Sequence, residues 1–405
     1  MTAGNHISEN LARIRKARDL SQEQLAEAAS VGVDTVARIE QGIRTTCRPA
    51  TLRRLASALG VTVDALFGRS PVESLDEHNV TGLREALTGG EHIPGLDDFA
   101  EPYEVITLSH LASAVRDSWH AYVDGRHAEL LCGLPSFVVD ARRLVHASMG
   151  DQRAAAQRML STVYRLGAGL TGRIGLDDLA WIAAERALEA ARLTDAPEVE
   201  SAISLRFLAW TLVRQQRFDA AERMATEAAE RIQPAMLDRA AVRTGVFGNL
   251  LFNAATAALS AGRLGRAEDL LTEAQSAAIR VRGDSAREHA IFGPRVAAIQ
   301  RVEFLARAGD PGRALHLAKS LPPPRGDVPA FWEAGHRLRL AAASLQLRQE
   351  RGVLSLLAEA KHRAPDWSRT QPLGRSIMRR LVEHASRRRG AEFADLAAHY
   401  GVVPG

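Results

Sequence analysis

Ser21-Gln22-Glu23-Gln24-Leu25-Ala26-Glu27-Ala28-Ala29-Ser30-Val31-Gly32-Val33-Asp34-Thr35-Val36-Ala37-Arg38-Ile39-Glu40-Gln41-Gly42 is the stretch that decides the fold. Ser21 followed three residues later by Gln24 is a capping-box pattern, and Leu25 with Ala26 gives the short helix behind it a buried face. A tight turn follows. Val31 plugs the angle between two helices, Gly32 opens the second, Val36 and Ile39 sit on its inner face, and Gly42 ends it. The spacing predicts a helix-turn-helix.

Outward from it, Ile7, Leu11 and Ile14 make one face of an opening helix. On the other side, Arg48-Pro49-Ala50-Thr51-Leu52 starts a further helix, because proline is pre-organised for the first helical position. Leu52, Leu55, Ala56 and Leu59 form its stripe, Gly60 ends it, and Val63, Leu66 and Phe67 close a small five-helix core over residues 1–68. A helix-turn-helix of this kind sets its second helix in the DNA major groove.

Gln22, Leu25, Ala26, Val31, Val36, Ile39, Glu40, Gly42, Leu55, Ala58, Leu59, Gly60 and Val61 stand where the lambda-repressor-like Xre family places its framework, and the first domain resembles that family over roughly residues 7–68. The resemblance implies that Gln22, Val33, Asp34 and Thr35 face bases, and that Gln41 and Arg44 face phosphates or flanking bases. Arg38, on the same helix, joins this DNA-facing set. Gly32 and Val33 depart from the pattern, which usually has a Ser or Thr cap followed by a polar base reader. Asp34 either accepts from a cytosine N4 or stabilises the helix N-terminus. The resemblance also implies a partly buried Arg15–Glu40 ion pair.

Residues 69–102 carry Gly89-Gly90, Pro94-Gly95 and Pro102 among acidic residues, and read as an acidic linker with one short helix near Val80–Leu87. Residues 103–405 are dominated by Ala, Leu, Arg and Glu at helical spacing, without a sustained strand pattern. A small-and-large residue pattern recurs there, with markers at Ala221, Ala267, Ala314 and Val353, at spacings of 46, 47 and 39 residues. Weaker copies lie at 125–137 and 175–187. The pattern resembles tetratricopeptide repeats with lengthened helices, and predicts about six hairpins and a terminal helix near Arg375–Arg388. The expected fold is all-α, with a lambda-repressor-like domain followed by a right-handed α-solenoid.

Ligand chemistry in a solenoid belongs on its concave face, where polar or aromatic residues interrupt the alanine-leucine pattern. The candidates are Tyr164, Arg165, Arg206, Trp210, Arg243, Asn249, Asn253, Phe292, Arg295 and His336, of which Tyr164, Arg206, Trp210, Asn249, Asn253, Phe292 and Arg295 are assigned to the effector. Asn249 and Asn253 put two amides on one helix face, a geometry suited to gripping an extended backbone. Phe292 to Val296 resembles the Phe-Gly-Pro-Thr-Asn-Val segment of actinobacterial Xre regulators with repeat domains, with Arg295 and Val296 in place of Thr and Asn.

The formal charge is +4 with 52 basic residues, of which only Lys16, Lys319 and Lys361 are lysines. That balance says little about nucleic acid, since the arginine excess reflects composition more than a basic surface. The two cysteines cannot build a disulfide framework. Without a leader pattern or a long apolar run, the expected location is the cytoplasm, away from membrane. His120 and His127 lack a third ligand, Cys47 beside Arg44 and Arg48 is the one candidate redox thiol, and no catalytic or phosphate-binding motif appears. The sequence therefore implies a non-enzymatic regulator without cofactor or metal. It is expected to be a homodimer on an operator, with a peptide, small molecule or protein as effector. The alternative is a repeat-based adaptor with a secondary DNA-binding module.

Overall fold

Ser21 caps its helix as its position predicts: Oγ accepts from the Gln24 amide at 3.2 Å, and the Gln24 side chain accepts from the Ser21 amide at 2.8 Å. These contacts come from a computed structural model that describes residues 4–18, 20–43, 49–59, 66, 77–90, 103–235, 241–383 and 390–402. The first domain contains α1 (Gly4–Ala17), α2 (Gln22–Ala28), α3 (Val33–Glu40) and α4 (Pro49–Ala58). Leu11, Leu25, Val36, Ile39, Leu55, Leu59 and Leu66 are fully buried in one core, to which Ile7 and Ile14 add the α1 face. Ser30, at φ +51°, turns the chain between α2 and α3, and Val31 packs against the core. The expected closing residues Gly60, Val61, Val63 and Phe67 lie outside the described residues.

The short helix expected within the linker is α5 (Glu77–Thr88), but it does not stand alone. Leu83 and Leu87 are fully buried in the core of the helical body, because Leu83, Ala86 and Leu87 form one apolar face. Arg142 donates to the carbonyls of Ala86 and Gly89 at 2.6 and 3.2 Å, and Arg186 to that of Thr88 at 3.1 Å. These cations answer the orphan carbonyls of the α5 C-terminus. The packed body thus begins at α5, ahead of the boundary at residue 103 expected from composition.

Six helical hairpins follow among the described residues. They are α6 (Leu108–Asp124) with α7 (His127–Ala147), α8 (Gly150–Arg173) with α9 (Asp177–Ala191), α10 (Pro197–Arg214) with α11 (Phe218–Arg231), α12 (Ala241–Ser260) with α13 (Leu264–Arg280), α14 (Pro294–Arg307) with α15 (Pro311–Ala318), and α16 (Ala330–Gln346) with α17 (Glu350–Arg363). Each hairpin turns on a left-handed residue: Gly125, Gly175, Gln216, Gly262, Gly309 and Arg348, with φ between +58° and +89°. In every case the next amide bonds the carbonyl five residues back, as in Arg217 to Leu212 at 2.9 Å and Arg263 to Ala258 at 2.9 Å. This is the Schellman closure that lets a helix end and reverse. The residue five positions beyond each turn is buried, which explains why Ala221, Ala267, Ala314 and Val353 mark the repeat.

Shorter helices α18 (Pro365–Arg369), α19 (Pro372–Glu383) and α20 (Gly390–His399) complete the body. The expected terminal helix is α19 up to Glu383; residues 384–389 lie outside the described ones. The first helices of the successive hairpins, α6, α8, α10, α12, α14 and α16, touch in order and form an inner layer. That layer curls until its ends meet. Phe331 of α16 stacks edge-on against Tyr122 of α6 with ring centroids 5.5 Å apart. A Cβ placed on Gly125 would lie 3.1 Å from the Ala364 Cβ, at the start of α18.

One element falls outside the all-α expectation. Ser285–Arg287 (β1) pairs antiparallel with Ala290–Phe292 (β2), between α13 and α14. This hairpin folds back over the inner layer. A Cβ on Gly248 would lie 2.1 Å from Phe292 Cε2, so the bare glycine surface of α12 admits the ring. The strand carbonyls have side-chain donors: Trp119 Nε1 to Ala286 at 2.5 Å and Asn249 Nδ2 to Ile291 at 2.6 Å. Arg206 likewise donates to the turn carbonyl of Glu288 at 3.1 Å. Edge strands are thereby covered on a helical surface.

Candidate functional site

Two places in the chain combine position with available chemistry. In the first domain, Arg15 of α1 grips Glu40 of α3 with both arms, Nε to Oε1 at 2.6 Å and Nη2 to Oε2 at 2.8 Å. Its Nη1 donates to the Leu20 carbonyl at 2.8 Å, and Gln22 Nε2 donates to Glu40 Oε2 at 2.7 Å. The ion pair implied by the resemblance is present, and it fixes the angle of α3 against α1 and α2. The hydrogen bond to Glu40 raises the Arg15 pKa above its ordinary value, with burial opposing it. Glu40→Ala strands Arg15 and is expected to destabilise the domain by about 2–4 kcal/mol, part of which Arg15→Met restores. A double-mutant cycle by denaturant titration checks this; simple additivity would refute the coupling.

With Val36 and Ile39 buried, α3 presents its other side to solvent. Asp34, Arg38 and Gln41 are exposed, Thr35 is half-buried, and Val33 is 40% exposed at the helix start. An exposed branched apolar side chain beside an acid and a hydroxyl is suited to contact base edges and a thymine methyl. Gln22 sits on the same lip, with one amide hydrogen engaged by Glu40. Arg44 and Cys47 lie outside the described residues.

The second place is a cavity of about 270 Å³ at the centre of the curled inner layer. Trp210, Phe252, Phe331, Trp332 and Trp367 supply aromatic walls. Arg173, Gln300, Glu303, His336 and Arg339 supply polar groups. The Arg173 guanidinium lies 3.9 Å from the Phe331 ring centroid, 5.2 Å from that of Tyr122 and 5.6 Å from that of Trp210. Its Nε donates to the Tyr122 hydroxyl at 2.8 Å. Burial pushes His336 down to about 4, with Arg337 adding repulsion, so its imidazole is neutral near pH 7. Its Nδ1 has no hydrogen-bond partner among the described residues. Glu303 is shared by Arg339 at 3.1 Å and Arg307 at 3.7 Å.

Residues 6–66 match the helix-turn-helix domain family. Over 88 residues the chain is 31% identical to an uncharacterized HTH-type transcriptional regulator of Bacillus subtilis, RghRB, an alignment that takes in 22% of this chain and 60% of that protein. It is 29% identical over 134 residues to the HTH-type transcriptional repressor RghR of the same organism, covering 33% of this chain and 91% of the repressor. Among solved structures, Bacillus thuringiensis PlcR in complex with the peptide PapR7 and DNA is similar at a TM-score of 0.33 and 10% identity, over 88% of this chain and 94% of that one. The apo form of the competence regulator ComR from Streptococcus vestibularis gives a TM-score of 0.27 at 12% identity, over 76% and 99%.

The seven residues read from sequence as effector contacts divide between the cavity and the packed interior. Trp210, Asn249 and Asn253 line the cavity. Asn249 has both ends of its amide engaged, accepting from Arg206 at 3.0 Å while donating to Ile291. Asn253 donates to the Arg206 carbonyl at 2.8 Å. Arg206 is buried behind them, and burial pushes its pKa down to about 10, with repulsion from Arg165 and Arg173 adding to it against Tyr122 and Glu288. Tyr164 is buried with its hydroxyl at 3.3 Å from Arg142 Nη1, and Phe292 fills the seat on α12. Arg295 is tied to Glu333 at 2.5 and 3.1 Å and to the Pro322 carbonyl at 2.7 Å. These last four, Arg206 included, do not line the cavity.

Arg173, Phe331, Trp332 and Trp367 were missed from the sequence, although a signal existed for the first. Gly167, Gly169 and Gly172 run along α8 just before Arg173. A Cβ on Gly172 would lie 2.4 Å from Trp210, and one on Gly169 would lie 2.7 Å from the Tyr122 hydroxyl. Such a glycine stripe announces that large rings come close to that helix. Among the described residues, no helix is long and apolar enough to cross a membrane, and no three His, Cys, Asp or Glu side chains are grouped to hold a metal ion.

Proposed function

We propose that this chain is a DNA-binding transcriptional regulator, with an operator-reading domain over residues 1–68 and a helical sensor body, of tetratricopeptide-like kind, extending to residue 405. The observation that carries it is the solvent-facing start of α3 on a framework locked by Arg15 and Glu40, in a segment matching the helix-turn-helix family. The likeness to RghR, named a transcriptional repressor, supports the same reading. Val33, Asp34, Thr35 and Gln22 are assigned to bases, and Arg38, Gln41 and Arg44 to the backbone or flanking bases. In a homodimer, an effector in the ring interior changes the separation of the two α3 helices, which must match the roughly 34–36 Å repeat of the operator.

Duplexes selected from a random pool by the full chain provide the test. Asp34→Ala with Thr35→Ala is expected to weaken binding to the selected site by about 1–3 kcal/mol per lost base contact, with little change on random duplex. Equal loss on both would assign these residues to phosphate. Absence of any salt-dependent DNA affinity would favour an adaptor over a regulator.

A further inference from the structure

The central cavity contains a cation that the fold has positioned but not neutralised. Arg173 is held from three sides by rings and at Nε by Tyr122, yet its two terminal nitrogens have no hydrogen-bond partner among the described residues. No carboxylate forms an ion pair with it among those residues, unlike Arg339 beside it, which has Glu303. Counting the charges that line the cavity, Arg173 and Arg339 face Glu303 alone, with His336 neutral. One positive charge is left over. Behind them, Arg165 and Arg206 add to the positive field, offset by Glu200 and Glu288.

The size of the cavity narrows the occupant. An apolar cavity of roughly 150 Å³ accepts a benzene ring. About 270 Å³ therefore admits one ring or branched alkyl group together with a short acidic tail. A planar guanidinium with both terminal nitrogens free matches the two oxygens of a carboxylate, and a single surplus charge matches a monoanion better than a phosphate dianion. The walls made by Phe252, Trp332 and Trp367 suit the apolar end.

We propose that the cavity is a receptor for a small apolar monocarboxylate, seated bidentately on Arg173 with its hydrocarbon body among the aromatic walls. Both a free aryl- or alkyl-carboxylic acid and the carboxyl-terminal residue of a short peptide present this chemistry. The inference rests on the sensor reading above and names its ligand class. Binding is measured without DNA, so a failure of acid recognition is distinct from a failure of the DNA response.

The probes are 4-phenylbutanoate against 4-phenylbutanamide, and the tripeptide Ala-Ala-Phe with a free against an amidated C-terminus. Each is titrated into the full chain by calorimetry and by tryptophan fluorescence, since Trp210, Trp332 and Trp367 line the cavity. The acid forms are expected to bind at least about tenfold tighter than the amides, the discrimination that a charge-assisted pair gives. Arg173→Gln is expected to abolish that preference, and Arg173→Lys to keep only part of it. Selective binding of the peptide acid alone assigns the source as a peptide terminus, and of phenylbutanoate alone as a free acid. Equal affinity of acid and amide in the unmutated chain, or no saturable binding of either acid, overturns the proposal without relying on any variant.

Discussion

Arg165→Met is expected to lower the stability of the helical body by about 3–5 kcal/mol, since it takes this guanidinium from half-buried Glu288 and leaves buried Glu200 with only Arg158, at 3.5 Å. Arg165 is 1% exposed and donates to Glu200 at 2.9 Å, Glu288 at 3.0 Å and Thr162 at 2.8 Å. Burial is the largest single influence on Glu288 and works against its ionisation, but the charges of Arg165 and His289 together with the hydrogen bonds from Thr162 and Arg165 outweigh it and hold the carboxyl below the usual range. Glu288 sits in the turn between β1 and β2, so this guanidinium is the rivet that holds the folded-back hairpin to α8. Denaturant titration of the full chain measures the loss. Adding Glu200→Gln and Glu288→Gln to Arg165→Met is expected to recover part of it, because the stranded charges go too. A loss below about 1 kcal/mol would place the anchoring elsewhere, in the apolar seat of Phe292.

The parts of the molecule that were legible in sequence are those governed by local chemistry. Ser21 and Gln24 form their capping box whatever surrounds them, and Leu25, Val36 and Ile39 occupy positions that helical periodicity alone sends inward. The repeat markers were readable because each lies five residues past a turn whose geometry recurs. Gln216 and Arg348 occupy two of those turns, and a glycine-based count passes over them because side-chain-bearing residues adopt φ +60° and +58° there. The hairpin β1–β2 left no signal, since two strands of three residues each carry no measurable alternation.

Asn249 shows where such reasoning succeeds and still misassigns. Its place on α12 predicts a grip for an extended backbone, and it does grip one: strand β2 of its own chain. Sequence gives the chemistry of the grip, while the identity of the gripped segment depends on a chain reversal some 40 residues later. The cavity was illegible for the same reason. It exists because the curled body brings Phe331 to Tyr122, a contact between residues more than 200 positions apart.

Acidification is expected to destabilise the body well before its carboxylates titrate. Burial pushes His127 down to about 3, with Arg173 adding repulsion. Burial also pushes His336 and His399 down to about 4, with Arg337 and Lys361 respectively as the next contributions. An unfolded imidazole titrates near 6.5. Above that pH both states hold neutral rings and these groups cost nothing. Below it the unfolded chain takes up protons that the folded body refuses, so stability falls with pH until the folded-state values near 4 and 3 are reached. Between pH 7 and pH 5 the loss is about 2 kcal/mol per imidazole. Three such groups together approach the whole stability of an ordinary domain. Denaturant midpoints at the two pH values measure it. His336→Gln, which removes one titrating ring from the cavity wall, is expected to shrink the acid-induced loss by about a third relative to the unmutated chain. A midpoint that is flat or rises on acidification would mean that these rings are protonated inside the folded body, and would return a positive charge to the cavity that Arg173 and Arg339 already make cationic.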